Sequence, residues 1–256
     1  MMKNCFLAVF AVVALANAIG NTPTPFIING TQADEGQFPS LVVIYQVANE
    51  THGIPICSGS IIDDFWILSA AHCFLDKKPE IKFFVVAGSI DSYVNETIYD
   101  IIEVRNYPNY TKSQVDLALL KTDRKIVETD LVMKADYTWK RIEIVDNCTL
   151  AGWGKKSTTS DEISQYLRYI NGSTIPTEEC QKIWSLKPDV KITQSKICVQ
   201  WYEGGHSAEG DSGGPLLYDG KIIGVLIGGY PLERIPSIFE RVSSHVLWIR
   251  RTIKTA

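Results

Sequence analysis

Short apolar runs broken by turn residues constrain this chain more than any other feature. The segments Leu41 to Val47, Ser60 to Leu68, Lys82 to Ala87, Asp116 to Leu120 and Lys221 to Ile227 are apolar or alternate apolar with polar residues. Clusters of Gly, Pro, Asn and Asp bound them, the pattern of strands in an antiparallel sandwich or barrel. Helical spacing is scarce: only Ser244 to Ile253, with Val246, Ile249 and Ile253 at helical intervals, reads as a helix, and it closes the chain. The expected fold class is all-β. Hydrophobic residues make up 45% of the 256, enough for a substantial core and too many for a disordered chain. The polar segment 121–140 could link two halves of similar size, although one large β domain fits the composition as well.

The start of the chain points to export. Met1, Met2 and Lys3 precede an apolar stretch from Cys5 to Leu15, and Ala16-Asn17-Ala18 follows. A basic start, a brief apolar core and a small-x-small end predict a signal peptide over residues 1–18; the apolar run is too short for a membrane anchor. A secreted protein can carry disulfides, and glycans on the six Asn-x-Ser/Thr sequons at Asn29, Asn49, Asn95, Asn109, Asn147 and Asn171. Without Cys5, the cysteines are Cys57, Cys73, Cys148, Cys180 and Cys198, so one lacks an internal partner. A formal net charge of -4 and the lack of a long Lys/Arg run argue against nucleic acid or an anionic membrane as partner.

Three segments could carry chemistry together. A serine hydroxyl is a poor nucleophile unless a base takes its proton and N–H groups receive the charge developing on the attacked carbonyl. Gly210-Asp211-Ser212-Gly213-Gly214-Pro215 surrounds a serine with the glycines such close backbone approach needs, though a plain turn has the same composition. Ser69-Ala70-Ala71-His72-Cys73 puts a histidine after the apolar Trp66-Ile67-Leu68, where it could equally be structural. In Val115-Asp116-Leu117-Ala118-Leu119-Leu120 a carboxylate opens a run that should be buried; it needs a donor, and an imidazole N–H is a suitable one.

Taken in order with Ile27-Ile28-Asn29-Gly30 and Gly152-Trp153-Gly154, these segments resemble the chymotrypsin-like serine peptidase family over essentially everything after residue 26. The resemblance implies two six-stranded antiparallel β-barrels with the site between them, a C-terminal helix and a peptidase domain over residues 27–256. It also implies roles: Ser212 as nucleophile, His72 as general base, Asp116 as orienting carboxylate, and the N–H groups of Gly210 and Ser212 as oxyanion hole. No metal or organic cofactor is implied. Partners would be protein or peptide substrates and protein inhibitors, met by a secreted monomer. Removal of a short propeptide, residues 19–26, would free the Ile27 ammonium to pair with Asp211. Phe26 precedes that point where many relatives have Arg or Lys, so a chymotrypsin-like or self-activating cut is expected.

Departures from the family pattern bear on specificity and rate. His206, with Ser207, Gly229 and Ser237, falls where relatives build the primary pocket; trypsin-like members carry Asp at the His206 position, so ordinary tryptic specificity is not expected. A protonated His206 facing the pocket would suit acidic side chains; a solvent-facing one leaves an apolar side chain more natural, which is the favoured reading. Ile227 and Gly228 replace a usual Ser and Trp, and Ile227 cannot donate to the triad carboxylate. A weakly active or inactive homologue acting by protein binding is the alternative these changes raise. Cys57 with Cys73 and Cys180 with Cys198 match two family disulfides. The pocket disulfide is missing, with Ala208 and Leu232 near its positions. Cys148 faces a partner position held by Tyr218, leaving a buried free thiol or an intermolecular link.

Overall fold

The computed structural model describes residue 27 and residues 30–49, 52–75, 80–94, 97–110, 115–155, 162–185, 190–230 and 235–255. The expected signal peptide and propeptide, the sequons at Asn29 and Asn95, and Leu232 lie outside them. In chain order come β1 (Thr31–Gln32), β2 (Leu41–Asn49), β3 (His52–Ile61), β4 (Trp66–Ser69), β5 (Phe83–Ala87), β6 (Thr97–Asn106) and β7 (Ala118–Thr122). The second half holds β8 (Asp136–Tyr137), β9 (Cys148–Gly152), β10 (Arg168–Ile175), α1 (Thr177–Trp184), β11 (Lys196–Trp201), β12 (Pro215–Tyr218), β13 (Lys221–Gly228), β14 (Ser237–Arg241) and α2 (Val246–Lys254).

Two closed barrels result, as the family resemblance implies. In the first the strands run in the order β2-β3-β4-β7-β6-β5; in the second β10, β11, β14, β13, β12 and β9 close through the β9–β10 pair. The short β1 adds to β10, and β8 lies parallel to β13. The runs carry apolar side chains into each barrel, and in β4 and β7 they are buried on both faces of the sheet. Ile44, Ile67, Leu68, Leu119 and Leu120 are fully buried in the first, and Leu150, Val199, Leu216 and Phe239 in the second. Burying each such side chain favours the folded chain by about 2 kcal/mol. The β12–β13 hairpin turns on Asp219 and Gly220, with φ of 50° and 69°, the left-handed pair that matches strand twist in a two-residue loop.

Two details depart from the sequence reading. The run Ser60 to Leu68 is not one strand: β3 ends at Ile61, and a turn held by Asp63, whose Oδ1 accepts the Phe65 N–H at 3.4 Å, reverses the chain into β4. The helix α1 was not expected. Its eight residues bury only Cys180 and Trp184, too few positions to set a helical period.

Disulfides join Cys57 to Cys73 and Cys180 to Cys198, tying the turn that carries His72 to β3 and α1 to β11. Cys148 is a free thiol, fully buried, with Sγ donating to the Gly172 carbonyl at 3.1 Å. Burial pushes its pKa up to about 12. A thiol reagent should therefore leave the native protein unlabelled and modify Cys148 only in denaturant; rapid native labelling, read by mass spectrometry, would contradict the buried assignment.

Candidate active site

The loop carrying Ser212 is pressed against the first barrel, and glycine makes that approach feasible. Gly213 has a φ of 82°, and a β-carbon there would come within 2.2 Å of Ser69 Oγ and 2.3 Å of the Ser58 carbonyl. Any side chain would push the loop away from β3 and β4. Ser58, on β3, clasps the loop from the other side: its N–H donates to the Ser212 carbonyl at 2.8 Å and its hydroxyl to the Gly210 carbonyl at 3.1 Å. Most N–H groups of the loop are also engaged: Asp211 donates to Ala208, Gly213 to Leu226 and Gly214 to Asp211. Those of Gly210 and Ser212 donate to no protein acceptor among the described residues.

His72 sits in the short turn after β4, and Asp116 lies just before β7, the neighbour of β4 in the first barrel. Strand pairing thus brings together residues 44 positions apart. The Asp116 carboxylate, 9% exposed, accepts the His72 main-chain N–H on Oδ1 at 2.9 Å and meets the ring Nδ1 with Oδ2 at 2.7 Å. This fixes the tautomer: Nδ1 carries the proton toward Asp116, leaving Nε2 as the base. Ser212 and His72 line one groove of about 530 Å³, whose walls include Ile54, Ile56, Leu75 and Ile163 and the ion pair of Lys155 with Glu209 at 2.6 Å. Among the described residues no hydrogen bond joins the Ser212 hydroxyl to the imidazole; such bonds often tighten only when substrate binds.

Asp211 is completely buried. Its carboxylate accepts the Gly154 N–H at 2.7 Å and the Ala208 N–H at 2.8 Å, and no cation pairs with it among the described residues. Gly152-Trp153-Gly154 wraps it so closely that a β-carbon on either glycine would fall within 2.3 Å of a carboxylate oxygen. Burial pushes the Asp211 pKa up to about 7, against the lowering effect of the two N–H bonds. Ile27 is also fully buried, packed with Val145, Cys148 and Leu150 in the core of the second barrel.

The residues assigned to the primary pocket gather at one place. Ser207 and Ser237 hydroxyls are 2.8 Å apart, and Trp201 Nε1 donates to Ser237 at 2.8 Å. Gly229 lies directly against them: a β-carbon there would be 2.4 Å from Ser207 Oγ and 3.2 Å from Ser237 Oγ. His206 is 6% exposed, so the reading of a solvent-facing histidine does not hold.

Several contributors escaped the sequence reading. Ser58, and the packing of Gly152 and Gly154 against Asp211, could be recognised only once the chain was folded. Glu240 was legible in principle, as a charge directly after the buried Ile238 and Phe239. Among the described residues one cluster has metal-ligand proximity, that of Cys57, His72 and Cys73, but both sulfurs are consumed in one disulfide and offer no thiolate.

Comparison with known proteins agrees with this geometry. The family model described as Trypsin matches residues 27–249. The chain is 27% identical over 253 residues to "Putative trypsin-6" of Homo sapiens, an alignment covering 96% of this chain and 97% of that protein. It is likewise 27% identical over 256 residues to "Trypsin II-P29" of Gallus gallus, covering 98% and 99%.

The raised Asp211 pKa gives a pH dependence whose sign follows from proton counting. An unfolded Asp titrates near about 3.9. Between that value and about 7 the unfolded chain is ionised while the folded one keeps its proton, so stability falls as pH climbs through this window and then levels off. The loss should be on the order of a few kcal/mol in the uncleaved chain. Urea denaturation from pH 4 to pH 8 should show this decline in a Ser212→Ala background and a flatter profile once Asp211→Asn is added; equal slopes would contradict it.

Proposed function

The chain belongs to the trypsin family, and from that premise we propose that it is a secreted serine endopeptidase of non-tryptic specificity. The observation that carries this reading is the Asp116–His72 pair, opening onto the groove that also holds Ser212. Ser212 Oγ attacks the substrate carbonyl while His72 Nε2 takes its proton. The imidazolium is stabilised by Asp116 and returns the proton to the departing amine; water then repeats the sequence on the acyl-enzyme. The oxyanion lies against the N–H groups of Gly210 and Ser212, which donate to no protein acceptor among the described residues while those of Asp211, Gly213 and Gly214 are engaged.

Specificity follows from the contact of Gly229 with Ser207 and Ser237. Substrate backbone pairs with strand-like backbone near Gly229, so close approach of these hydroxyls leaves little depth for a side chain. With no acidic residue at the His206 position, the pocket suits a small uncharged residue before the cut and disfavours Arg and Lys.

Activation by cleavage between Phe26 and Ile27 is supported by the buried Asp211 carboxylate, which meets no cation among the described residues and is a ready partner for the ammonium that cleavage creates. Because Phe26 precedes the bond, a trypsin-like activator leaves the chain intact and a chymotrypsin-like or self-directed cut activates it. Asn109, Asn147 and Asn171 are exposed, as glycan acceptors must be. A second reading, an inactive homologue that binds proteins, is favoured by Ile227, whose side chain offers the triad no hydrogen bond.

Cleavage of a peptide library by the protein beginning at Ile27 tests the reading. Ser212→Ala should lower the rate by about 10⁴-fold or more. Small uncharged residues should lead before the cut. Equal rates for the two proteins would remove the peptidase assignment; absence of cleavage by both would favour the binding protein.

A further inference from the structure

A buried cluster of charged and polar side chains lies behind the triad carboxylate, and the chemistry above does not use it. Glu240, on β14, is fully buried; Lys196, on β11, is 4% exposed and His245, just before α2, 6%. Glu240 Oε2 receives the Lys196 ammonium and also the main-chain N–H of Asp116, the latter at 3.1 Å, while Oε1 meets His245 Nε2 at 3.0 Å. Burial works to raise the Glu240 pKa, but the bonds from His245, Lys196 and Asp116 outweigh it and hold the carboxyl below its usual range. The other ring nitrogen of His245, Nδ1, has no hydrogen-bond partner among the described residues. A proton there would be a buried, unsatisfied donor, so the neutral ring with its proton on Nε2 is favoured.

Two further side chains flank the cluster. Tyr107 packs edge-on against His245 with ring centroids 5.1 Å apart, and Arg241 turns to the carbonyls of Ile142, Gln194 and Lys196. Lys196 and Glu240 meet directly and offset each other's charge. Glu240 thus gives Asp116 an acceptor without adding net negative charge. Glu240 acts on the main chain rather than on the carboxylate, whose protein donors among the described residues both come from His72.

We propose that Glu240, braced by Lys196 and His245, is a positioning residue for the triad, anchoring the Asp116 main chain in place of the support that Ile227 cannot give. This rests on the peptidase reading. In the protein beginning at Ile27, Glu240→Gln strips Lys196 of its carboxylate and leaves a positive charge near Asp116, which disfavours the His72 imidazolium. The expected result is a loss of about tenfold or more in kcat with little change in KM, and an acid limb of kcat/KM shifted down by about half a pH unit or more. Lys196→Met/Glu240→Gln restores neutrality and keeps an amide oxygen for the Asp116 N–H, so the acid limb should return and kcat recover. A folded Glu240→Gln protein with wild-type kcat and acid limb overturns the proposal, as does a double variant no better than the single.

Should Glu240→Gln fail to fold, Glu240→Asp, which keeps the charge but shortens the reach, is expected to lose kcat without moving the acid limb; full activity overturns the proposal. A wild-type protein without activity fails the peptidase reading instead. The positioning role is then read from the low-field proton resonance of His72 Nδ1–H, which Glu240→Asp should displace; an unmoved resonance overturns it.

Discussion

A carboxylate taken out of water must be surrounded by donors, and three such groups are buried where the two barrels meet. Each is satisfied differently. Asp116 takes both its protein bonds from His72, so its desolvation is offset by the residue it orients. Asp211 is met by two main-chain N–H groups and, among the described residues, by no cation, and burial pushes its pKa up to about 7. Glu240 has an ammonium, an imidazole and a main-chain N–H around it and stays ionised. These requirements explain why residues from β4, β7, β11, β14 and the loop before β12 converge on so small a region.

Glycine placement converts that convergence into a possible reaction centre. Gly213 lets the serine loop touch the ends of β3 and β4, while Gly152 and Gly154 let β9 and the loop after it close over Asp211. A methyl group at any of these positions would collide with backbone or with a carboxylate. The result is a loop clasped by Ser58, with the N–H groups of Gly210 and Ser212 left available beside a serine and a tautomer-fixed histidine. Preorganisation of this kind lowers the barrier to acyl transfer, because donors already aimed at the developing charge need not reorient during the reaction.

Most of this arrangement was legible in the sequence for a physical reason. Strand runs declare themselves by period, whereas the segments of Ser212, His72 and Asp116 each fit a turn or a structural residue alone, and only their order and spacing, which resemble the chymotrypsin-like family, single them out. The turn at Asp63 was hidden because a two-aspartate interruption between apolar residues looks like alternation. Helix α1 was hidden because eight residues with two buried positions hold no period. The grouping of Gly229 with Ser207 and Ser237 was expected from the resemblance alone, whereas Glu240 beneath Asp116 depends on register between strands distant in the chain, which no local pattern encodes. The burial of His206 is the same kind of fact: its neighbours in space, not in sequence, remove it from solvent.

The central claim is that Ser212 is made nucleophilic by the His72 imidazole that Asp116 holds. Its most direct test is reaction of the native protein beginning at Ile27 with a serine-directed phosphonate, the adduct located by mass spectrometry. A single adduct on Ser212 that disappears in His72→Ala and in denaturant is the expected result. No adduct, or one on Ser212 that forms equally fast without His72, would contradict it.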